Sequence, residues 1–462
     1  MRRVLVMLAL LPVVAPGDQT YRVYTEHPRL WLEARRLRLL QREHKRESVR
    51  WQQLELIWEA KSALREEPLA RALEYAVAGR EEAGRQAAAW ALQRASAAGA
   101  PDRAELRVLA LVFDWCFPLL PEKERVKVAE RIGRGVETVA GQKGYGAFSA
   151  AVLGAIAAAD DWRGSEQALT GLFEKKWRLE LLPALREGRG PETPADTVAL
   201  LEICHAARDN LNLELWDQAP AFFRQFPTYL LLNYYPAPVV VDGHRYRQPA
   251  RFGTGQPDPA VEGELARIVE LLTAAYDTNS VETQFLQGWI THDIYRLRSP
   301  TGAWHEFLWM NPYQPGLSYY NTPLHLHDDL GGRLLARSSW DDDATWLGYA
   351  GGELQLFADG SRSIVDSLAQ ASPIVFPQLA VMPARGEAAF QVRLAEGEDV
   401  FVVGLEAGRT YWVKSGEEKH LPRPAGKGGI LPLKAAVGAE TRFEIRTADP
   451  SPPAPALERK KK

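Results

Sequence analysis

The sequence predicts a multi-domain protein, α then β, in which an N-terminal α/α toroid of helical hairpins is followed by an antiparallel β-sandwich-like domain. Up to about residue 300, apolar residues recur at the spacing typical of amphipathic helices. Beyond about residue 330, short runs rich in Val, Phe and Tyr alternate with turns rich in Gly and Pro. A chain of 462 residues is also too long for one compact core.

The helical part contains predicted helices joined by short loops. The Ala-rich and apolar windows 105–117 and 147–159 predict inner helices, and the connecting loops are expected to line a cleft. No fixed repeat period is present, which favours a closed toroid over a solenoid. The predicted helices cover 33–44, 51–64, 68–78, 82–95, 105–117, 122–139, 147–159, 165–177, 180–186, 194–207, 220–232, 262–276 and 282–297.

The strand-like part begins with the stretch 332–367. In it, the pair Asp359-Gly360 is a strong signal for a two-residue hairpin turn. Near the end of the chain, Phe443 and Ile445 alternate with polar residues, as in a strand with one buried face. The predicted strands cover 334–336, 345–350, 353–357, 363–366, 390–394, 399–403, 410–414 and 441–446.

The N-terminus has the pattern of a secretory signal peptide. Arg2 and Arg3 precede an almost wholly apolar run at 4–14, and Ala15 follows it. This run is too short to span a bilayer comfortably. The sequence therefore predicts an exported protein, periplasmic or extracellular, with no membrane span after cleavage.

These patterns divide the chain into five segments. From Gly302 onwards, Pro, Gly and aromatic residues become dense, which marks the end of the helical domain. The last residues are rich in Pro and Lys and cannot bury enough surface to fold. The segments are a signal peptide at 1–16, the toroid at 17–300, the start of the β domain at 301–378, its C-terminal portion at 379–448 and a disordered tail at 449–462.

Composition excludes some partners and leaves others open. The formal net charge is −3, so no basic field exists to recruit nucleic acid, and an anionic substrate would need local Arg or Lys. Fourteen Trp and fifteen Tyr can serve both the core and the stacking of sugar rings. Cys116 and Cys204 lie in helical patterns without metal-site spacing, so small buried hydrophobes are favoured over a disulfide.

Three stretches carry a resemblance to a known family. They are 27–30 (HPRL), 113–115 (FDW) with Pro121-Glu122 after it, and 337–341 (RSSWD). They resemble parts of the heparinase II/III-like group of polysaccharide lyases and related alginate lyases, over about residues 27 to 370. The resemblance implies a toroid followed by a β-sandwich. It also implies binding of an acidic, uronic-acid-containing polysaccharide, cleaved by β-elimination if the protein is active.

The sequence departs from that group in two places. In the group, the strand after the Arg-Ser-x-Trp-Asp segment leads into a His-x-His-x-Asp-Gly stretch, whereas here 351–353 (GGE) passes directly to 354–360 (LQLFADG). The helical domain of the group supplies a loop with a catalytic Tyr, and the corresponding loop here, 189–194, has none. These departures favour the alternative of a non-catalytic glycan-binding or scaffold protein that keeps the fold.

Elimination on a uronic acid needs a group that neutralises the carboxylate, a base for the C5 proton and an acid for the leaving oxygen. The stretch 242–247 (DGHRYR) offers all three residue types on a loop between predicted helices. Arg can pair with a carboxylate through two hydrogen bonds, so no metal or cofactor is needed. The candidates are His244 and Tyr246 as base or acid, and Arg247, Arg251, Asn233, Tyr235, Arg337 and Trp340 for substrate binding.

Other chemistries have weaker signals. His325 and His327 lie on one face of a predicted strand, a spacing that suits a metal, but further ligands are not evident. Three acidic residues at 341–343 are typical of a solvated turn. Glycoside hydrolysis needs two facing carboxylates, and Glu192, Asp196 and Asp242 have no distinctive spacing.

Overall fold

The computed structural model of the protein describes residues 21–59, 66–253, 255, 258–292, 302–365 and 372–450. The expected signal peptide and most of the expected tail lie outside these residues. The described chain has a helical N-terminal part followed by mainly antiparallel sheets, which confirms the predicted order of α then β. Within these ranges, no helix has both the length and the apolar character needed to cross a membrane.

Helices dominate the chain as far as Trp309. The helices are α1 Ala34–Lys45, α2 Val49–Glu59, α3 Glu67–Ala78, α4 Glu81–Ala95, α5 Arg103–Trp115, α6 Glu122–Ala140, α7 Tyr145–Ala157, α8 Ser165–Gly171, α9 Leu182–Arg186, α10 Pro194–Leu211, α11 Pro220–Leu232, α12 Pro259–Tyr276, α13 Val281–His292 and α14 Ala303–Trp309. A π-helical segment, Leu172–Leu181, joins α8 to α9, and 3₁₀ helices occur at Phe117–Leu119, Trp216–Gln218, Tyr319–Asn321 and Lys427–Gly429.

The helix α7 is the inner helix that its small residues predict. All of its residues except Gly146 are buried, and it packs against α5, α6 and α10. A Cβ atom at Gly154 would lie 2.8 Å from Val136 Cγ2, so the absence of a side chain lets α6 approach closely. Close packing of this kind is available only to helices rich in Ala and Gly.

The last of the described α-helices contacts one of the first. Helix α14 packs against both α12 and α2. The Arg50 side chain on α2 donates hydrogen bonds to the carbonyl oxygens of Glu306 (3.0 Å) and Phe307 (2.8 Å). A helix at 303–309, just after the predicted boundary at residue 300, thus packs with the helices before it.

Two of the stretches that carry the family resemblance meet at one buried carboxylate. Asp114 accepts hydrogen bonds from the backbone N–H groups of Arg29 (3.1 Å) and Leu30 (2.8 Å) and contacts the His27 ring. Trp115 Nε1 donates to the carbonyl oxygen of Leu30 (2.9 Å). The two motifs thus form one anchor that fixes the N-terminal segment to the end of α5.

The two cysteines are buried and have free thiols. This confirms the interpretation that they serve as small hydrophobic residues. Burial raises the pKa of Cys116 to about 12, and it raises the pKa of Cys204 further still. Neither thiol is therefore suited to nucleophilic chemistry at neutral pH.

The strands fall into a hairpin and three larger sheets. The strands are β1 Val239–Val241, β2 His244–Tyr246, β3 His325–Asp328, β4 Arg333–Arg337, β5 Trp346–Ala350, β6 Glu353–Ala358, β7 Ser361–Ile364, β8 Ile374–Val375, β9 Leu379–Pro383, β10 Ala388–Arg393, β11 Asp399–Val403, β12 Thr410–Ser415, β13 Leu421–Pro424, β14 Leu431–Lys434 and β15 Glu440–Arg446. The first sheet has the order β3-β4-β5-β6-β7, the middle sheet β14-β11-β9-β8 and the last sheet β10-β15-β12-β13. Among the described strands, every pair is antiparallel except β9 with β11.

The alternation of side chains places the first sheet between the helices and the middle sheet. On one face, Leu335 and Trp346 belong to the same apolar core as the helices. On the other face, Leu334 and Leu347 pack with Phe401 of the middle sheet. The second face of the middle sheet packs in turn against the last sheet. Successive residues of a strand point to opposite faces, which is why neighbours such as Leu334 and Leu335 serve different cores.

Two hairpins turn at an Asp-Gly pair, and the sequence predicted only one of these hairpins. Asp359 and Gly360 both have positive φ (50° and 73°), and they join β6 to β7 as expected. Asp242 and Gly243 have the same signs (49° and 79°) and join β1 to β2 within the predicted helical region. The expected loop at 242–247 is therefore a hairpin, since an Asp-Gly pair after three valines favours this turn.

Candidate functional site

A cleft lies where the helical part meets the first sheet. It encloses about 700 Å³ of space, part of it open to solvent. Its walls come from the loop before α10, from α11 and α12, from the segment 249–251 and from β4. Its lining includes side chains with charged or hydrogen-bonding groups, among them Glu192, Tyr229, Asn233, Arg251, Glu262 and Arg333.

Aromatic rings on α11 form one wall of the cleft. Phe222, Phe226 and Tyr229 follow each other at helical spacing, with ring centroids 5.5 and 6.3 Å apart. Such spacing places the three side chains on one face of the helix. Asn233 comes one turn after Tyr229, so the polar groups lie at the same end of this wall. The wall combines an apolar surface with a phenol and an amide.

The Tyr229 phenol lies beside a fixed cation. The Arg333 guanidinium lies over the Tyr229 ring, with its central carbon 4.5 Å from the ring centre. Asp328 accepts from Arg333 Nε (2.9 Å) and Nη2 (2.6 Å), which holds the guanidinium in place. Asp328 thus fixes the position of Arg333, and Arg333 in turn restricts the position of the Tyr229 ring.

An ion pair and the Asn233 amide complete the lining of the cleft. Arg251 donates to both carboxylate oxygens of the buried Glu262, at 2.9 and 2.8 Å. Asn233 is buried, and its Nδ2 donates to the carbonyl oxygen of Ala250 (3.4 Å). Its Oδ1 has no hydrogen-bond partner in the described part of the chain. The acceptor end of the amide is thus free for a donor group of a ligand, such as a sugar hydroxyl.

Two of the sequence-predicted residues, Asn233 and Arg251, line this cleft. His244 and Tyr246 do not line it. His244 is exposed on β2, whereas Tyr246 is buried against α12. A Cβ atom at Gly263 would lie 2.8 Å from Tyr246 Cβ, so this glycine allows the helix to cover the ring.

Tyr235 contributes to the contact between the helical part and the first sheet. Its ring lies 5.1 Å from that of Trp346 and 5.4 Å from that of Phe357. Its hydroxyl donates to Gln355 Oε1 (2.7 Å). These contacts give Tyr235 a packing role, the alternative to sugar stacking that its sequence context left open.

The remaining candidates, Arg247, Arg337 and Trp340, belong to a second group. Together with Trp289 and Tyr319 they form the arginine–tryptophan cluster. The Arg247 guanidinium lies 4.8 Å from the centre of the Trp289 ring, and that of Arg337 lies 4.3 Å from the Trp340 ring. The two indoles are 6.3 Å apart, and the Tyr319 ring meets both edge-on. The fold therefore brings together Arg247, Arg337 and Trp340, which the sequence singled out separately.

The two guanidinium groups of the cluster differ in their partners. Arg247 Nη1 donates to the carbonyl oxygen of Pro236 (2.7 Å) and pairs with Asp342 (3.1 Å). Arg337 Nε donates to the carbonyl oxygen of Ser339 (2.6 Å), but both of its terminal nitrogens are buried without a partner among the described residues. Burial first, and then the charge of Arg247, lower the pKa of Arg337 to about 10.

The histidines of β3 do not assemble a metal site. His325 Nε2 lies 3.4 Å from Asp399 Oδ2, and burial lowers the pKa of both His325 and His327. Within the described ranges, no group of three or more His, Cys, Asp or Glu side chains is placed to hold a metal ion.

No family model matches the chain. No curated protein matches it either. The heparinase-like resemblance, the lyase activity and export therefore stay predictions, and the geometry of the cleft and the cluster is the physical basis for a functional proposal.

Sequence reasoning missed Tyr229, Arg333 and Trp289. A signal for Tyr229 was present, since it precedes Asn233 by four residues on a helix and so shares its face. No local signal links Arg333 to Tyr229, because strand β4 reaches α11 only in the folded chain. Trp289 lies on α13 in an apolar context typical of a core residue.

Proposed function

We propose that the protein binds a uronic-acid-containing polysaccharide in the cleft and cleaves it by β-elimination. One observation carries the proposal: an amide and a phenol from the end of α11 and a guanidinium from the segment 249–251 converge there, as Asn233, Tyr229 and Arg251. These are the residue types that elimination on a uronic acid requires. The heparinase-like resemblance of the sequence supports the same reaction.

The proposed reaction assigns carboxylate binding to Asn233 and Arg251 and proton transfer to Tyr229. The second N–H of Asn233 Nδ2, beside the one that Ala250 accepts, donates to the substrate carboxylate next to the Arg251 guanidinium, which acidifies the proton on C5. Tyr229, as the phenolate, removes this proton. The C4–C5 double bond forms as the bond from C4 to the leaving oxygen breaks, and Tyr229 returns the proton to that oxygen. Arg333 holds the phenol in position for both transfers.

The finer features of the architecture belong to the same proposal. We infer that the helical part is an α/α toroid, an inference supported by the packing of α14 against α2. The apolar cores shared between successive sheets support a β-sandwich. The signal-like N-terminus supports export to the periplasm or the cell exterior.

The test is a lyase assay on a panel of polyuronates and glycosaminoglycans, read as ultraviolet absorbance of the unsaturated product. Tyr229→Phe is expected to lower the rate about 10²- to 10⁴-fold, because it removes the group that transfers the proton. Tyr235→Phe is the matched control, since its hydroxyl bonds Gln355 outside the cleft. Absence of product on every substrate, with a native circular dichroism spectrum, would count against catalysis.

A non-catalytic glycan-binding protein is the second candidate, and one observation favours it. Both arginines of the cleft already have carboxylate partners, and none of the cleft-lining residues is a histidine. A glycan array would then show binding to acidic glycans by the wild type without turnover. Tyr229→Phe would retain that binding, since a lost proton transfer does not weaken a complex that never reacts.

A further inference from the structure

The terminal nitrogens of Arg337 need a physical explanation. The side chain is 1% exposed, and neither Nη1 nor Nη2 has a hydrogen-bond partner in the described chain. A buried guanidinium is normally paired and hydrogen-bonded, because removing the charge from water is costly. An unsatisfied buried donor in a native structure points to a water molecule, an ion or a ligand at that place.

The surroundings of Arg337 favour an anion. The nearest cation is Arg247, whose like charge destabilises the charged form of Arg337. Burial raises the pKa of Tyr319, so no phenolate offsets these charges at neutral pH. The Asp342 carboxylate is half-exposed and already pairs with Arg245 (2.9 Å) and Arg247 (3.1 Å). Asp341 also acts on the charge of Arg337, but it is exposed and accepts from Ser339 Oγ (2.9 Å), so neither carboxylate bonds the terminal nitrogens of Arg337.

We propose that the arginine–tryptophan cluster is a binding site for one anionic group, a carboxylate or a sulfate, held between Arg247 and Arg337. A guanidinium presents parallel N–H groups that match two oxygens of such a group. The rings of Trp289 and Trp340 keep both guanidinium planes in place by stacking. The site lies outside the cleft and needs no catalysis. Its expected occupant rests on the glycan binding proposed for the cleft, whereas anion binding itself does not depend on lyase activity.

The position of the site indicates how an acidic glycan reaches it. Tyr234 lines the cleft, and its ring stacks on that of Trp289 at 6.0 Å, so a single ring separates the cluster from the cleft. Tyr320 stacks on Tyr319 at 4.5 Å and is 53% exposed, which places the cluster near the surface on this side. A second acidic group of a glycan bound in the cleft is thus the expected occupant.

The experiment compares thermal stability in sodium glucuronate, sodium sulfate and sodium chloride at equal ionic strength. Wild type is expected to gain stability with a saturable dependence on glucuronate or sulfate and not on chloride. The gain should be lost in Arg247→Gln and kept in Arg245→Gln. Arg245 is the matched control because it pairs with the same Asp342 but is exposed and outside the cluster.

Comparing glucuronate with sulfate in this experiment also identifies which kind of anion the site binds. Saturation by glucuronate identifies a sugar carboxylate, and saturation by sulfate alone identifies a sulfate group or a free anion. An equal gain in Arg247→Gln, or no saturable gain in wild type, would overturn the proposal.

A crystal structure with glucuronate gives a second readout that does not depend on how variants fold. A carboxylate between the two guanidinium groups is the expected result, and a water molecule there would overturn the proposal. A protein that is inactive in the lyase assay still binds the anion if this inference holds, so the two proposals fail separately.

Discussion

The cleft and the arginine–tryptophan cluster each contain two arginines, but the two regions differ in the hydrogen-bond partners of these arginines. In the cleft, Arg251 and Arg333 each donate two hydrogen bonds to a carboxylate of the protein. In the cluster, Arg337 is more deeply buried, yet both of its terminal nitrogens lack a partner among the described residues. A paired arginine is explained by the fold alone, whereas a buried unpaired one indicates something the fold does not supply.

The largest expected effect comes from breaking a pair of the cleft. Asp328→Asn removes the negative charge that holds Arg333, and the free energy of unfolding is expected to fall by about 3 kcal/mol, because the guanidinium is left mostly buried and unpaired. Urea denaturation measures the change. A loss of well under 1 kcal/mol would mean that Arg333 finds water or another acceptor, and the contrast between the two regions would disappear.

The pH dependence of stability is expected to be independent of both regions, since none of the residues described in them is a histidine. Burial, followed by the charges of Arg208 and Arg36, keeps the pKa of His205 well below its usual value. As pH falls below about 6.5, His205 takes up a proton in the unfolded chain but stays neutral in the folded chain. The free energy of unfolding therefore falls by about 1.4 kcal/mol per pH unit for this residue.

Denaturation at several pH values between 7 and 5.5 checks this slope. His205→Gln should flatten it, although His305, His325 and His327 have pKa values lowered in the same direction and retain part of it. Tyr229→Phe and Arg247→Gln should leave it unchanged. A changed slope in either would show that proton uptake is linked to the cleft or to the cluster.

Arg337→Met is expected to have a smaller effect on stability, and one of the opposite sign to that of Asp328→Asn in the cleft. The substitution removes an unpaired buried charge and keeps an apolar chain against Trp340, so stability in chloride buffer should be unchanged or rise by about 1 kcal/mol. Equilibrium denaturation without sulfate measures it. A loss as large as that of Asp328→Asn would show that Arg337 is a structural residue.

The smallest effect is expected at the exposed edge of the cluster. Arg245→Gln breaks a surface pair with Asp342, and such pairs contribute about 0.5 kcal/mol that salt screens further. Denaturation at low and high chloride should show a small difference that vanishes at high salt. A larger loss of stability that salt does not screen would mean that Arg245 also supports the neighbouring pair of Arg247 with Asp342.

Local signals predicted much of the fold. The alternation at 441–446 places Phe443 and Ile445 in a core, and Asp359-Gly360 makes its turn, because both depend only on near neighbours. The hairpin at Asp242-Gly243 was missed, since the helical patterns around it outweighed the same turn signal.

The candidate site was predicted only in part. Asn233 and Arg251 line the cleft as substrate-binding candidates, whereas His244 and Tyr246 lie elsewhere. The position of Tyr246 depends on how closely α12 can approach at Gly263, and the contact of Tyr229 with Arg333 joins a helix to a distant strand. Such long-range contacts are set by tertiary packing, which residue spacing does not encode.

Trp346 determines how far the walls of the cleft can move. Its ring is fully buried in the core shared by helices and first sheet, and its Nε1 donates to the carbonyl oxygen of Leu232 at the end of α11 (2.8 Å). A hinge between the walls would have to expose this ring and break that bond. The cleft is therefore preorganised, so a ligand gives up little affinity to ordering the protein. If the cleft binds a glycan as proposed, its rigid shape is expected to select against glycans that need a wider groove.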